Sequence, residues 1–105
     1  MKHAIKQNTE IFKERSGGVN TKIIEFDFQN HGKKVFKFSY SSGNAYEHFN
    51  IESFDGDKLH HVFNITDLGF KRNTSAYCTA TETEFKNRVK ELTEKGIEFV
   101  KSLYS

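Results

Sequence analysis

The chain reads as an α+β domain: a four- to six-stranded antiparallel meander with a long C-terminal helix, and a short N-terminal one, packed on one face. Three observations predict it. The stretch Thr21–Ile65 holds Phe26, Phe28, Phe36, Phe38, Phe49, Phe54 and Phe63, out of eleven phenylalanines in all, in short runs separated by turn residues. Those runs alternate apolar with polar, the period of a strand with one buried face. From Thr81 onward the apolar spacing changes to that of a helix. With 105 residues there is material for one domain, residues 1–105, around one modest core.

The first segment, Lys2–Arg15, places Ala4, Ile5, Ile11 and Phe12 on one side of a short helix. The competing reading makes Thr9–Arg15 an edge strand turning back at Ser16-Gly17-Gly18. The helix is the preferred expectation.

In the meander, Ile24, Phe26 and Phe28 alternate with Ile23, Glu25 and Asp27, and Phe36, Phe38 and Tyr40 alternate with Val35, Lys37 and Ser39. A three-residue loop Asn30-His31-Gly32 would set Phe26 opposite Phe36 and Glu25 opposite Lys37. A four-residue turn Ser42-Gly43-Asn44-Ala45 would set Phe38 beside Phe49. The last hairpin contains a conflict. Asp55-Gly56 favours a two-residue turn, yet that register throws Phe49 and Phe63 onto opposite faces. A three-residue loop including Asp57 reunites them, placing Leu59, His61, Phe63 and Ile65 on the apolar side, and burial decides in its favour.

Beyond the meander, Phe70–Arg72 and Ala76–Thr79 have the composition of short strands around Asn73-Thr74-Ser75. Thr81 with Glu84 forms a capping box. Phe85, Val89, Leu92, Phe99 and Leu103 then follow at helical intervals, with Gly96 in the one gap and Val100 and Tyr104 beside the stripe. Gly96 also fits a helix stop, with Ile97–Tyr104 becoming a final strand. The unbroken period past the glycine favours a continuous helix.

Composition narrows the function. The net charge is +2 with 29% charged residues, so no global field draws the chain to nucleic acid or membrane. One cysteine, Cys78, precludes an internal disulfide, and no apolar run has the length of a membrane span. The expectation is a cytoplasmic protein. Five histidines invite a metal site, but His48 and His60 would lie about 13 Å apart at roughly 3.3 Å per strand residue. His61 reads as a core-rim residue, His31 as a turn residue and Cys78 as a structural thiol. Asp55-Gly56-Asp57 lacks the spaced carboxylates of a calcium loop, and Gly17-Gly18 lacks the lysine and hydroxyl of a phosphate loop. The expectation is therefore no cofactor, no metal and no catalytic set: a non-enzymatic module that binds another protein, of the inhibitor, immunity or adaptor kind.

If helices cover the phenylalanine face, the opposite face is left for a partner. The side chains assigned there to partner binding are Glu25, Lys37, His48, Asn50, Glu52 and His60. Self-association through this face or the first strand's edge would give a homodimer. The alternative is nucleic-acid binding through the basic first hairpin and N-terminus, with Lys33, Lys34, Lys71 and Arg72 on phosphates. Glu47, Glu52, Asp55 and Asp57 on the second hairpin interrupt that positive stripe.

Overall fold

The computed structural model describes residues 8–13, 17–43, 46–64 and 82–104. Five strands form one antiparallel sheet in sequence order: β1 (Asn8–Lys13), β2 (Gly17–Phe28), β3 (Gly32–Gly43), β4 (Tyr46–Asp55) and β5 (Lys58–Asn64). A single helix, α1 (Glu82–Leu103), lies across one face. The predicted meander and C-terminal helix are both present.

Among the described residues the expected N-terminal helix is not shown. Asn8–Lys13 is strand β1, paired with Gly17–Lys22. The sequence signal was the adjacent pair Ile11 and Phe12, which a helix can place on one side. In β1 they point to opposite faces: Phe12 meets Phe85 of α1 at 5.3 Å between ring centres, while Ile11 stands opposite Val19 on the other face and is 52% exposed. Residues 1–7, the 66–80 segment and Thr81 of the expected capping box lie outside the described residues.

The first two hairpins keep the predicted faces but slide by two residues. Ile24, not Phe26, stands opposite Phe36, Glu25 faces Val35, and Lys37 faces Ile23. The turn closes with the His31 amide donating to the Phe28 carbonyl at 3.1 Å, and Asn30 takes the positive φ of 75°. Asparagine tolerates that conformation, so the tight turn starts earlier than a glycine-centred reading expects. In the next hairpin Tyr40 faces Phe49 and Phe38 faces Ile51, with Gly43 opposite Tyr46. A shift of two preserves side-chain parity, so the core set survives both slips.

The last hairpin has neither the Asp55-Gly56 turn nor the expected three-residue loop, yet it reconciles the turn signal with burial. Asp55 pairs with Lys58 across a two-residue Gly56-Asp57 turn, with Gly56 at φ 64°. Positive φ at the first turn position alone is the signature of type II′, which matches strand twist. The register then shifts between Ile51 and Glu52: Glu52 faces His61, Ile51 faces Phe63, and Val62 is the extra residue of a β-bulge. Turn chemistry rules the hairpin end and burial rules the far end. Consequently Leu59 and His61 lie on the face away from the helix, and His60, opposite Ser53, lies on the helix side. All three are corrections to the predicted faces.

The core is one layer between sheet and helix. Phe36, Phe38, Phe49, Ile51, Leu92 and Val100 are at most 1% exposed. α1 runs along β2 from Gly18, beneath Phe85, to Phe28, whose ring stacks on Tyr104 at 4.3 Å. The helix continues unbroken through Gly96, as the spacing predicts. Its buried line is Phe85, Val89, Leu92, Thr93, Gly96 and Val100, so the stripe turns toward Val100 and leaves the predicted Leu103 half exposed. Among the described residues no helix is long and apolar enough to cross a membrane.

Gly96 is the point of closest approach. A Cβ there would sit 2.7 Å from Ile51 Cδ1 and 2.9 Å from Phe38 Cε2. Alanine would gain about 1 kcal/mol of helix propensity. Overpacking a rigid core costs about 1–3 kcal/mol, and the two neighbours it strikes are at most 1% exposed. Gly96→Ala is therefore expected to bring no stabilisation and to cost up to about 2 kcal/mol in denaturant melts, with partial recovery on adding Ile51→Val. Phe38→Ala, from the centre of the same layer, is expected to cost about 3–5 kcal/mol. A stabilised Gly96→Ala protein would contradict the packing.

Candidate functional site

On the face away from α1, the pairing rows run Ile11–Val19, Thr9–Thr21, Ile23–Lys37, Glu25–Val35, Lys37–Glu52, Ser39–Asn50, Asn50–Asn64 and Glu52–His61. Side chains directly opposite share a face. Five of the six predicted contact residues, Glu25, Lys37, His48, Asn50 and Glu52, therefore do share this surface. His60 does not; its ring lies 3.3 Å from the Asp55 carboxylate at the exposed hairpin end.

This open face is more apolar than the sequence reading allowed. Ile23 is only 9% exposed although it points away from the helix. It lies in a shallow groove of about 350 Å³ that crosses the sheet from Thr9 and Thr21 over Lys37 to Phe54 and Leu59. Strand twist makes one diagonal of a sheet face concave, which lets β1 and β5 border the same depression. Three large apolar side chains remain open to solvent beside it: Ile11, Val19 and Leu59, at 52, 44 and 38%. Sequence reasoning missed them because β1 was read as a helix, β2 was begun at Thr21 and β5 was read in the other register. The signal that could have found Leu59 is the Asp-Gly turn itself, since a two-residue loop at Gly56-Asp57 puts Phe54 opposite Leu59.

The basic residues do not gather into one stripe among the described residues. Lys33 stands opposite Asp27, and the Lys34 ammonium sits 5.8 Å above the Tyr104 ring, a cation–π contact. Lys71 and Arg72, like Cys78, lie outside the described residues. His31 makes an edge contact with Tyr104 at 5.3 Å. Among the described residues no group of three His, Cys, Asp or Glu side chains is placed to hold a metal ion.

The densest polar constellation is under the helix's first turns. Glu47, assigned to the surface by sequence, is 8% exposed. Its carboxylate accepts from Arg88 Nε at 2.7 Å and Arg88 Nη2 at 2.8 Å, a two-pronged pair, and from the Tyr40 hydroxyl at 2.7 Å. Arg88 Nη1 also donates to Glu91 at 3.1 Å. Residues 47, 49 and 51 alternate onto one face, so Glu47's burial could have been read from parity with Phe49 and Ile51. Burial first, then the hydrogen bond to Glu47, pushes the Tyr40 phenol well above the usual tyrosine range. The bond to Glu47 likewise holds Arg88 further into its charged range. This cluster ties β3, β4 and α1 together, and its acceptors and donors are occupied by one another.

Two outcomes follow for this cluster. Removing one member strands a buried charge, so Glu47→Leu is expected to cost about 3 kcal/mol, and Glu47→Leu with Arg88→Met is expected to recover most of it. In alkali the sign is set by Tyr40: its folded pKa is raised above the unfolded value of about 10. The stabilising contribution is therefore complete below that value and lost as pH climbs toward the raised one. Tyr40→Phe is expected to flatten the fall of stability above pH 10 by up to about 1.4 kcal/mol per pH unit, measured by urea melts across that range. No protein-family model matches the chain, and no curated protein or solved structure matches it significantly, so what it does rests on the chemistry of these side chains.

Proposed function

We propose that the protein is a non-enzymatic binding module, an inhibitor, immunity or adaptor type of domain, that docks another protein on the open face of its sheet. One observation carries this reading: among the described residues, three of the four exposed large apolar side chains, Ile11, Val19 and Leu59, lie on the face opposite the helix. They flank a groove floored by Ile23 and Phe54. Glu25, Lys37, Asn50 and Glu52 stand among them as hydrogen-bonding groups. An apolar centre within polar surroundings is the composition of a non-obligate protein interface. Contiguous exposed apolar surface on a small domain marks such sites. A second copy of the chain is one partner this surface could take.

The test introduces charge at positions the core does not need. Val19→Glu with Leu59→Glu should leave the melting temperature within a few degrees of wild type, since both side chains are exposed. The wild-type protein, immobilised, is expected to retain a partner that mass spectrometry identifies. The doubly charged variant is expected to bind that purified partner at least about tenfold more weakly. Lys37→Ala with Asn50→Ala is expected to weaken it less. Equal binding by the charged variant would place the interface elsewhere. Turnover of a common hydrolase substrate that disappears on changing a single polar residue would overturn the non-enzymatic reading.

A further inference from the structure

Among the described residues the sheet has two outer strands, β1 and β5, and they differ as surfaces for further pairing. An outer strand presents a row of backbone N–H and C=O groups that its own sheet does not take up. In β5 that row is interrupted by the bulge at Val62, and a bulge blunts an edge. β1 keeps one register through all six of its pairs with β2. Five of its six residues are exposed, and the sixth, Phe12, turns inward to Phe85. Ile11 stands near its middle at 52% exposure, the most exposed large apolar side chain among the described residues.

We infer that two copies of the chain join antiparallel along β1, with a two-fold axis at Ile11, so that two five-stranded sheets become one. Side chains directly opposite on paired strands share a face, so the axis must pass through a residue rather than between two. Centres at Glu10 and at Ile11 each keep five residues of either copy paired, 8–12 or 9–13. The first sets two carboxylates directly opposite each other, which is destabilising. The second sets Ile11 against Ile11, Thr9 against Lys13 and Glu10 against Phe12, with no like charges opposed.

This register also continues a row already present. Ile11 stands opposite Val19 on the open face, so the seam lines up Val19, Ile11, Ile11 and Val19 across the two copies. Facing β-branched side chains stabilise paired strands, and the joined edges add about four to six backbone hydrogen bonds. A two-fold axis normal to the sheet keeps both helices on one side and both open faces on the other. Pairing β1 with β5 of another copy would leave a free edge at each end and never close. Strands this short bury less than about 1,200 Å², the size of a reversible dimer rather than a permanent one.

Sedimentation velocity on the full chain, over a series reaching about 1 mM, is expected to show a monomer–dimer equilibrium in the micromolar range. A protein that stays monomeric at the top of the series overturns the proposal. Ile11→Lys and Ile11→Glu each set like charges opposite one another, and each is expected to weaken the dimer at least about tenfold. Mixed in equal amounts, the two variants set lysine against glutamate and are expected to recover the dimer to within about threefold of wild type. That recovery also requires both variants to be folded. Undiminished association of either variant alone, or a mixture of folded variants that stays monomeric, overturns the proposal. Leu59→Glu, on the open face at the other side of the sheet, is expected to leave the dimer unchanged. Loss of the dimer there would move the contact to the open face and overturn the pairing through β1. Capture of a different protein by the open face is read separately, so either proposal can fail without the other.

Discussion

The structure depends on one close approach: α1 lying against Phe38 and Ile51 at Gly96, with no Cβ between them. Among the described residues one helix covers the apolar face of a five-stranded sheet, and a covering layer is effective only at van der Waals distance. Side chains elsewhere on the helix are sized to that height. Phe85 rests on Gly18, where a Cβ would come within 2.6 Å of its ring, and Val100 is fully buried. Dispersion falls steeply with small gaps, so raising the helix by a methyl group would loosen contacts along the whole seam. The two glycines set the height at which every other pair meets.

That height also explains why an ion pair sits inside the seam. Tyr40 and Glu47 belong to the core face of their strands by parity, and they reach α1 near its start. There the helix presents Arg88 rather than an apolar residue, and the two-pronged pairing satisfies the buried carboxylate while Tyr40 caps it. Such a group contributes little net energy compared with a hydrophobic replacement, but it tolerates only one alignment of helix and sheet. Apolar contacts slide; a forked pair between three elements does not.

Much of this was legible in the chain. Alternation in Ile24–Phe28 and Phe36–Tyr40 announced both strands and their buried face, and helical spacing from Phe85 carried correctly through Gly96. Exact registers were less legible, because a slip of two residues leaves every side chain on its own side and so costs the hydrophobic pattern nothing. Only turn geometry discriminates there: Gly32 takes the positive φ expected of it, at 78°, but Asn30 takes it as well, at 75°, and starts the turn earlier. The bulge at Val62 was invisible for a related reason: any reading that holds one register along a hairpin must sacrifice either Gly56-Asp57 or Phe63. The misread β1 cost most, since Ile11 of the open face depends on it, and Val19 was lost because β2 was begun at Thr21 rather than Gly17. Glu47 was legible by parity and was overlooked because a glutamate on a hairpin suggests solvent.

The strict sequence order of the strands bears on how the chain reaches this state. Each strand pairs with its immediate neighbour, so the sheet can zip from any hairpin using contacts that close short loops. The helix is different. Phe85 must find Gly18, and Tyr104 must find Phe28, across most of the chain. The entropic cost of closing a long loop grows only slowly with its length, but it is met before the contacts form. The sheet is therefore a platform that exists before its cover does, its phenylalanine face exposed in the interval. During synthesis α1 emerges after all five strands, and until it docks that face is open to association with another chain.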